Sequence, residues 1–282
     1  MTDTTLPLSG GEITKQAIRH HYDLATPFYR LLWGPHLHHG YWDADETPAV
    51  AQRRLVERLL AEVHLRPGAQ VLDVGCGMGE TAIHLARDCG CTVSGLTLSP
   101  VQRTWATLAA WAGGVSRQVR FACQDVEEAE FPPGSFDLVW SVECTEHLFD
   151  KPGFFRRAGR WLRPGGRVAV CAWLAADRPH SPAVARQVRA VCRGFLCPSL
   201  GTADDYLGWM QAAGLEPVHF ADLTGQVART WEICLRRVRR GRVHLLARCA
   251  GRKMVRFLDH FDTILRAYRT GAMRYGCFVA QG

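Results

Sequence analysis

The sequence predicts an α/β fold: a seven-stranded, mostly parallel sheet with helices on both faces, an N-terminal helical cap and a helical insertion before the last strand. Three observations predict it. Apolar runs of strand length, without internal alternation, recur between amphipathic helical segments, the pattern of strands buried on both faces. The first run, "QVLDVG", leads straight into glycines at 75, 77 and 79 and then a helix. A length of 282 residues, 47% hydrophobic and 22% charged, supports one large domain with additions and argues against disorder.

Residues 1–66 read as the cap. "ITKQAIRHHYDLATPFYRLLWG" carries apolar residues at helical spacing, interrupted at Pro27. "HLHHGYWDADET" is a loop, and "PAVAQRRLVERLLAEVHL" an amphipathic helix ended by "RPG". Residues 67–223 with 271–282 read as the core. Strand one, "QVLDVG", precedes the helix "GETAIHLARDCG"; strand two, "CTVSGLTLS", precedes a helix starting at Pro100, where proline suits the first turn. "VRFACQDV" and "FDLVWSVE" are strands three and four. The helix "PGFFRRAGRWLRPGG" stops at Pro-Gly-Gly before strand five, "RVAVCAWL". "TADDYLGWMQAAGL" is a helix, "EPVHFADL" strand six and "AMRYGCFVAQ" strand seven. Residues 224–270 form the insertion.

Composition excludes several classes. No apolar stretch reaches the ~18 residues of a membrane span. The N-terminal residues lack a basic segment followed by an apolar one, so a cytoplasmic protein is expected. Eleven cysteines are present, but none forms a C-x-x-C pair, and buried thiols are expected rather than disulfides or zinc. The histidines at 36, 38 and 39 lack metal-ligand spacing, so no metal is expected. The net charge is +7, with arginines concentrated between Arg236 and Arg256. That stretch suits a solvated helix face, a diphosphate or an acidic membrane surface. It has neither interleaved aromatics nor a nucleic-acid motif, so no nucleic-acid partner is expected. A homo-oligomer is left open.

In an open parallel sheet, ligands bind beyond the strand C-termini, near the switch in strand order. Glycines there let a ligand touch the backbone. A dinucleotide would want G-x-G-x-x-G, whereas this chain reads D-x-G-x-G-x-G from Asp73. An aspartate beside pyrophosphate is unfavourable, but it suits a ligand bearing an ammonium group. That favours S-adenosylmethionine.

With these residues the sequence resembles the Rossmann-like S-adenosylmethionine-dependent methyltransferases. Within them it resembles the branch of tocopherol and sterol C-methyltransferases and cyclopropane fatty acid synthases. "HYDLATPFYRLLWGPHLHHGYW" is similar to that branch's cap, "VLDVGCGMG" to its donor loop, "GLTLSPVQ" to its second-strand motif, and "WSVECTEHLFDK" to the segment after strand four. The resemblance implies S-adenosyl-L-methionine as cofactor and S-adenosyl-L-homocysteine as product. It implies that Gly75, Cys76, Gly77 and Gly79 line the donor, with Asp73 supporting the loop. Where many methyltransferases have an acid after strand two, this chain has Thr97, Leu98 and Ser99, which with Gln102 are implied to hold the ribose. Gln124 and Asp125 match adenine-contacting positions, and Ser141 the methionine portion. Thr97, Ser99 and Asp125 also suit plain helix capping.

The acceptor is expected to be a small molecule, lipophilic or anionic. Methylation at an alkene carbon leaves a carbocation, which wants a carboxylate, aromatic faces and a base. Glu143, just beyond strand four, suits that role; a carboxylate ~4 Å from a cation contributes about 4 kcal/mol at an effective dielectric of ~20, before desolvation. The resemblance implies the same of Glu143. His147 reads as a base or a packing residue, and Glu146 as scaffold. Tyr22, Trp33, Tyr41 and Trp173 are the aromatic candidates for an acceptor pocket. The expected activity is C-methylation of an isoprenoid-type acceptor, prenyl diphosphates included, or of a phenolic one. N- or O-methylation is the alternative, and a binding protein without turnover is an alternative of another class.

Overall fold

A computed structural model of the chain describes residues 13–32, 34, 36–178, 180–239, 248 and 252–282. Seven strands form one sheet: β1 Gln70–Val74, β2 Thr92–Thr97, β3 Val119–Cys123, β4 Phe136–Val142, β5 Leu162–Ala175, β6 Glu216–Asp222 and β7 Met273–Gln281. Their order is β3-β2-β1-β4-β5-β7-β6. All neighbours are parallel except β7, which runs antiparallel to both β5 and β6. The direction of connection reverses between β1 and β4, so the crevice at their C-terminal ends is the place for a ligand.

The central strands are buried on both faces because their side chains feed two cores alternately. Along β5, Ala169, Cys171, Trp173 and Ala175 enter one core, and Val168, Val170, Ala172 and Leu174 the other. The first core is closed by α2 Pro48–Leu60, α3 Glu80–Cys89, α6 Pro182–Phe195, α9 Arg229–Arg239 and α10 Arg252–Arg269. The second is closed by α5 Lys151–Trp161 and α7 Ala203–Ala212. α4 Pro100–Ala112 lies beside β3, and the short α8 Thr224–Val227 follows β6. The ten described cysteines are all free thiols.

Two readings need correction. The first helix is not interrupted at Pro27: α1 runs unbroken over Lys15–Leu32. Proline removes one backbone donor, but the buried Ile18, Ala25 and Tyr29 hold the helix against the core on either side. The second is an omission. The helix α6 has its start signals in plain sight, Ser181 followed by Pro182, and the Ser181 hydroxyl accepts from the Val184 N–H at 3.2 Å. Among the described residues no helix is long and apolar enough to cross a membrane.

Candidate active site

The chain reverses after β1 through Gly75 and Gly77, both at positive φ (76° and 52°). The two glycines serve different ends. A Cβ on Gly75 would lie 2.4 Å from the Cys144 Cβ, so the loop must be bare there to pass the segment after β4. A Cβ on Gly77 would meet nothing nearer than Leu37 at 3.8 Å and would project into the cleft. That cleft, of about 820 Å3 counted to its mouth and including open solvent, lies beyond β1, β2 and β4.

Asp73, Gly75, Cys76, Gly77, Thr97, Leu98 and Gln102 line this cleft together. Asp73 is buried, its Oδ2 has no partner among the described residues, and burial pushes its carboxyl up to about 7. An orphaned carboxylate at a glycine loop is what the ammonium of S-adenosylmethionine would satisfy, so the residues present fit that donor. At the end of β2, the Thr97 hydroxyl donates to the Gln102 Oε1 at 2.7 Å. Gln124 and Asp125 line a side pocket with Thr97, Leu98 and Gly75. Lys15 pairs with Asp125 at 2.9 Å and also with Glu127, tying the start of α1 to this side.

A second cavity, of about 530 Å3, lies deeper and is mostly aromatic, with Tyr22, Tyr29, Trp173, Phe195 and Trp231 in its wall. Tyr22, Leu37, Glu143 and His147 border both cavities. This shared wall separates the cleft at the glycine loop from the aromatic cavity.

Glu143 adopts φ 53°, a left-handed conformation unfavourable for a non-glycine residue. The strained turn aims its carboxylate into a fully engaged position. Oε1 accepts from the His39 backbone N–H at 2.7 Å, His39 Nδ1 at 2.9 Å and the Tyr275 hydroxyl at 2.8 Å. Oε2 accepts from the Trp173 indole at 2.9 Å. Burial opposes ionisation, but the His39 ring and N–H and the nearby His38 outweigh it and hold the carboxyl down at about 2. The His39 tautomer is fixed. Trp231 Nε1–H donates to Nε2 at 2.6 Å, so the ring proton sits on Nδ1 and points at Glu143.

His147 is fixed in the same way. Its Nδ1 lies 3.1 Å from the Leu196 carbonyl, which only accepts, so Nδ1 carries the proton. Nε2 then accepts from the Tyr22 hydroxyl at 2.7 Å. Burial, foremost, keeps the imidazole neutral, with its pKa lowered to about 4. Glu146 is the counterpart of Glu143. Oε1 accepts from the Trp173 backbone N–H at 2.5 Å, while Oε2 is buried without a partner among the described residues. Burial and the neighbouring Glu143 charge raise it to about 8. Two carboxyls three residues apart are thus driven in opposite directions.

Not every expected residue is here. Gly79 does not line the cleft; a Cβ on it would strike Ala106 and Phe121, so it is small to pack the start of α3 against α4 and β3. Ser99 caps α4, accepting from Gln102 N–H and donating to Asp23 at 2.5 Å. Ser141 is fully buried in β4, outside the cleft lining. Tyr41 lines neither cavity and sits under the Arg58 guanidinium, 5.4 Å from its ring centre. Trp33 lies outside the described residues. Of the basic insertion, Arg236 and Arg239 are exposed and none of the described arginines lines the aromatic cavity; residues 240–247 and 249–251 lie outside the described set. His39, Trp231 and Tyr275 were missed, and only the dense "HLHHG" patch signalled one of them.

The profile of the mycolic acid cyclopropane synthetase family matches residues 12–269. The chain is 37% identical over 213 residues to 27-O-demethylrifamycin SV methyltransferase of Amycolatopsis mediterranei (strain S699), covering 74% of this chain and 77% of the relative. It is 29% identical over 290 residues to the chloroplastic tocopherol O-methyltransferase of Arabidopsis thaliana, covering 96% and 83%. Among solved structures it superposes on mycolic acid cyclopropane synthase CmaA1, complexed with SAH and CTAB, with a TM-score of 0.85 at 22% identity, covering 95% of this chain and 98% of that one.

Proposed function

Because the chain belongs to the mycolic acid cyclopropane synthetase family and is an S-adenosylmethionine-dependent small-molecule methyltransferase, we propose that it methylates a hydroxyl oxygen of a lipophilic acceptor held in the aromatic cavity. The observation that carries this reading is the His147–Tyr22 pair on the wall between the two cavities. A neutral imidazole there presents to a hydroxyl the lone pair that Tyr22 now occupies. An acceptor hydroxyl that takes the place of Tyr22's oxygen meets the same lone pair. A relative named as a tocopherol O-methyltransferase and one named for a 27-O-demethyl substrate support the reading, whereas the family name alone does not fix the acceptor.

S-adenosylmethionine, when bound, supplies an electrophilic methyl group, and Asp73, Gly75, Gly77, Thr97 and Gln102 are the residues that would hold it. His147 Nε2 accepts the hydroxyl proton as the oxygen is alkylated, and the Leu196 carbonyl holds the ring in the tautomer that can do so. Glu143, ionised and fixed by four donors, favours positive charge at the shared wall, including that of the protonated His147.

A second reading is C-methylation of an isoprenoid or phenolic carbon. It is favoured by the Glu143 anion among aromatic rings: the His39 ring it binds has Tyr275, Trp231 and Trp173 centred 5.2, 5.5 and 5.6 Å away. With its lone pairs engaged, Glu143 would then steady a cation and leave proton removal to another group. Replacing His147 by Asn tests the first. O-methylation predicts a fall in kcat of about 100-fold, with donor affinity kept. Turnover within a few-fold of the parent would remove His147 as proton acceptor.

A further inference from the structure

Glu146 lines the aromatic cavity and not the donor cleft. Its Oε1 accepts from the Trp173 backbone N–H, while its buried Oε2 bonds to nothing among the described residues. The polar groups around it on this wall are paired inside the protein. Tyr22 bonds His147, His21 bonds Tyr29 at 3.0 Å, and the Trp231 indole donates to His39. The Trp173 indole and the His39 ring both donate to Glu143. Among the described residues, Glu146 Oε2 is therefore the buried side-chain oxygen of this wall that lacks a partner. A buried polar group without a partner is costly, and one on a cavity wall can find its partner in a ligand.

The charges around Glu146 select that partner. Glu143, three residues away, is an anion held by four donors, and it opposes a second negative charge. Lys151 of α5 pulls the other way, but its ammonium donates to the Leu148 carbonyl at 2.7 Å and the Ser199 hydroxyl at 3.1 Å. The neighbouring His147 is neutral. Burial raises the other titratable groups that face Glu146, namely Tyr22, Cys144, Cys197, Tyr206, Tyr268 and Tyr275, so these are uncharged. Burial and the Glu143 charge together keep a proton on Glu146 at neutral pH. With Oε1 engaged by Trp173, that proton belongs on Oε2, and the cavity is offered a donor rather than a charge. A carbonyl oxygen accepts from such a donor without bringing a proton that needs an acceptor of its own.

We propose that Glu146 Oε2 donates a hydrogen bond to a carbonyl oxygen of the acceptor, so that the acceptor class carries an uncharged ketone, quinone or ester group. The proposal rests on the reading that the aromatic cavity holds the acceptor, and it is independent of the atom that is methylated. Glu146 and His147 share the short turn Thr145–His147, so one turn places the recognising group next to the proposed proton acceptor.

Two probes of similar shape test this on the full chain: acetophenone, and ethylbenzene, which lacks the oxygen. Neither probe titrates. Binding is read by ligand NMR titration, and the carbonyl of 13C-labelled acetophenone by its chemical shift. At pH 6.5 the parent is expected to bind acetophenone about tenfold more tightly than ethylbenzene and to move the carbonyl carbon downfield. Glu146→Gln, whose amide also donates, should keep this preference. Glu146→Leu should lose it while still binding ethylbenzene and S-adenosylmethionine, which shows that the cavity and the fold persist. Between pH 6.5 and 9 the preference should fall in the parent, as Glu146 gives up its proton, and stay level in Glu146→Gln. A preference unchanged in Glu146→Leu, or lost in Glu146→Gln as fully as in Glu146→Leu, would overturn the proposal. Equal binding of both probes by the parent would overturn it alone. Binding of neither probe would overturn it together with the reading of the cavity.

Discussion

Glu143 and His39 are locked together twice: one carboxylate oxygen takes both the backbone N–H of His39, at 2.7 Å, and its ring Nδ1–H, at 2.9 Å. The contact joins the cap to the end of β4 and is backed by Trp231 from the insertion. It makes Glu143 a permanent anion whose position is set by three separate parts of the chain.

Glu143→Gln should therefore destabilise the protein, because an amide presents a donor to groups that themselves donate. The folded carboxyl sits at about 2, below its ordinary value of 4.5, so its stabilisation is present above pH 4.5 and lost as the pH falls toward 2. Thermal melting should show the largest parent–variant gap near pH 7 and little gap near pH 2.5. An equal gap at both would contradict this.

Glu146→Gln should do the reverse. The folded carboxyl sits at about 8, so between pH 4.5 and 8 the unfolded chain ionises while the native state keeps its proton, and stability drains as pH rises. Gln can still accept from the Trp173 N–H. The variant should melt higher than the parent at pH 8 and much like it at pH 4.5, as read by calorimetry.

Asp73, raised to about 7 by burial, should give up its proton when an ammonium group settles beside it. Binding of S-adenosylmethionine should release protons below pH 7, measurable by titration calorimetry in buffers of different ionisation enthalpy, and tighten as the pH rises to 8. Asp73→Asn should weaken binding about tenfold and abolish the proton release.

The two loop glycines should separate packing from binding. Gly77→Ala places a methyl in open cleft, at φ 52°, so it should cost about 1 kcal/mol of stability but weaken donor binding strongly. Gly75→Ala meets Cys144 at 2.4 Å and should cost several times more stability. Melting and donor titration on both variants check the contrast.

The sheet and the donor loop were legible because their signals are local: unbroken apolar runs for β1, β4 and β5, and glycines behind Asp73. The residues around Glu143 were not. His39, Trp231 and Tyr275 stand far apart in sequence and converge only because the cap loop, the insertion and β7 meet around the Glu143 carboxylate. Gly79 and Ser99 fit the donor motif by position, yet packing and capping account for them. Nothing in the local pattern separates Tyr22, on the cavity wall, from Tyr41, under Arg58.

The central claim is transfer of the methyl group to oxygen. The most direct test is to give the enzyme S-adenosylmethionine carrying a 13C methyl group with prenylated phenols, macrocyclic phenols and prenyl diphosphates, and to read the product's carbon shift. The account predicts label on a hydroxyl oxygen, in the methoxy region. Label in a new carbon–carbon bond, on any of these acceptors, would contradict it and transfer the chemistry to the Glu143 anion.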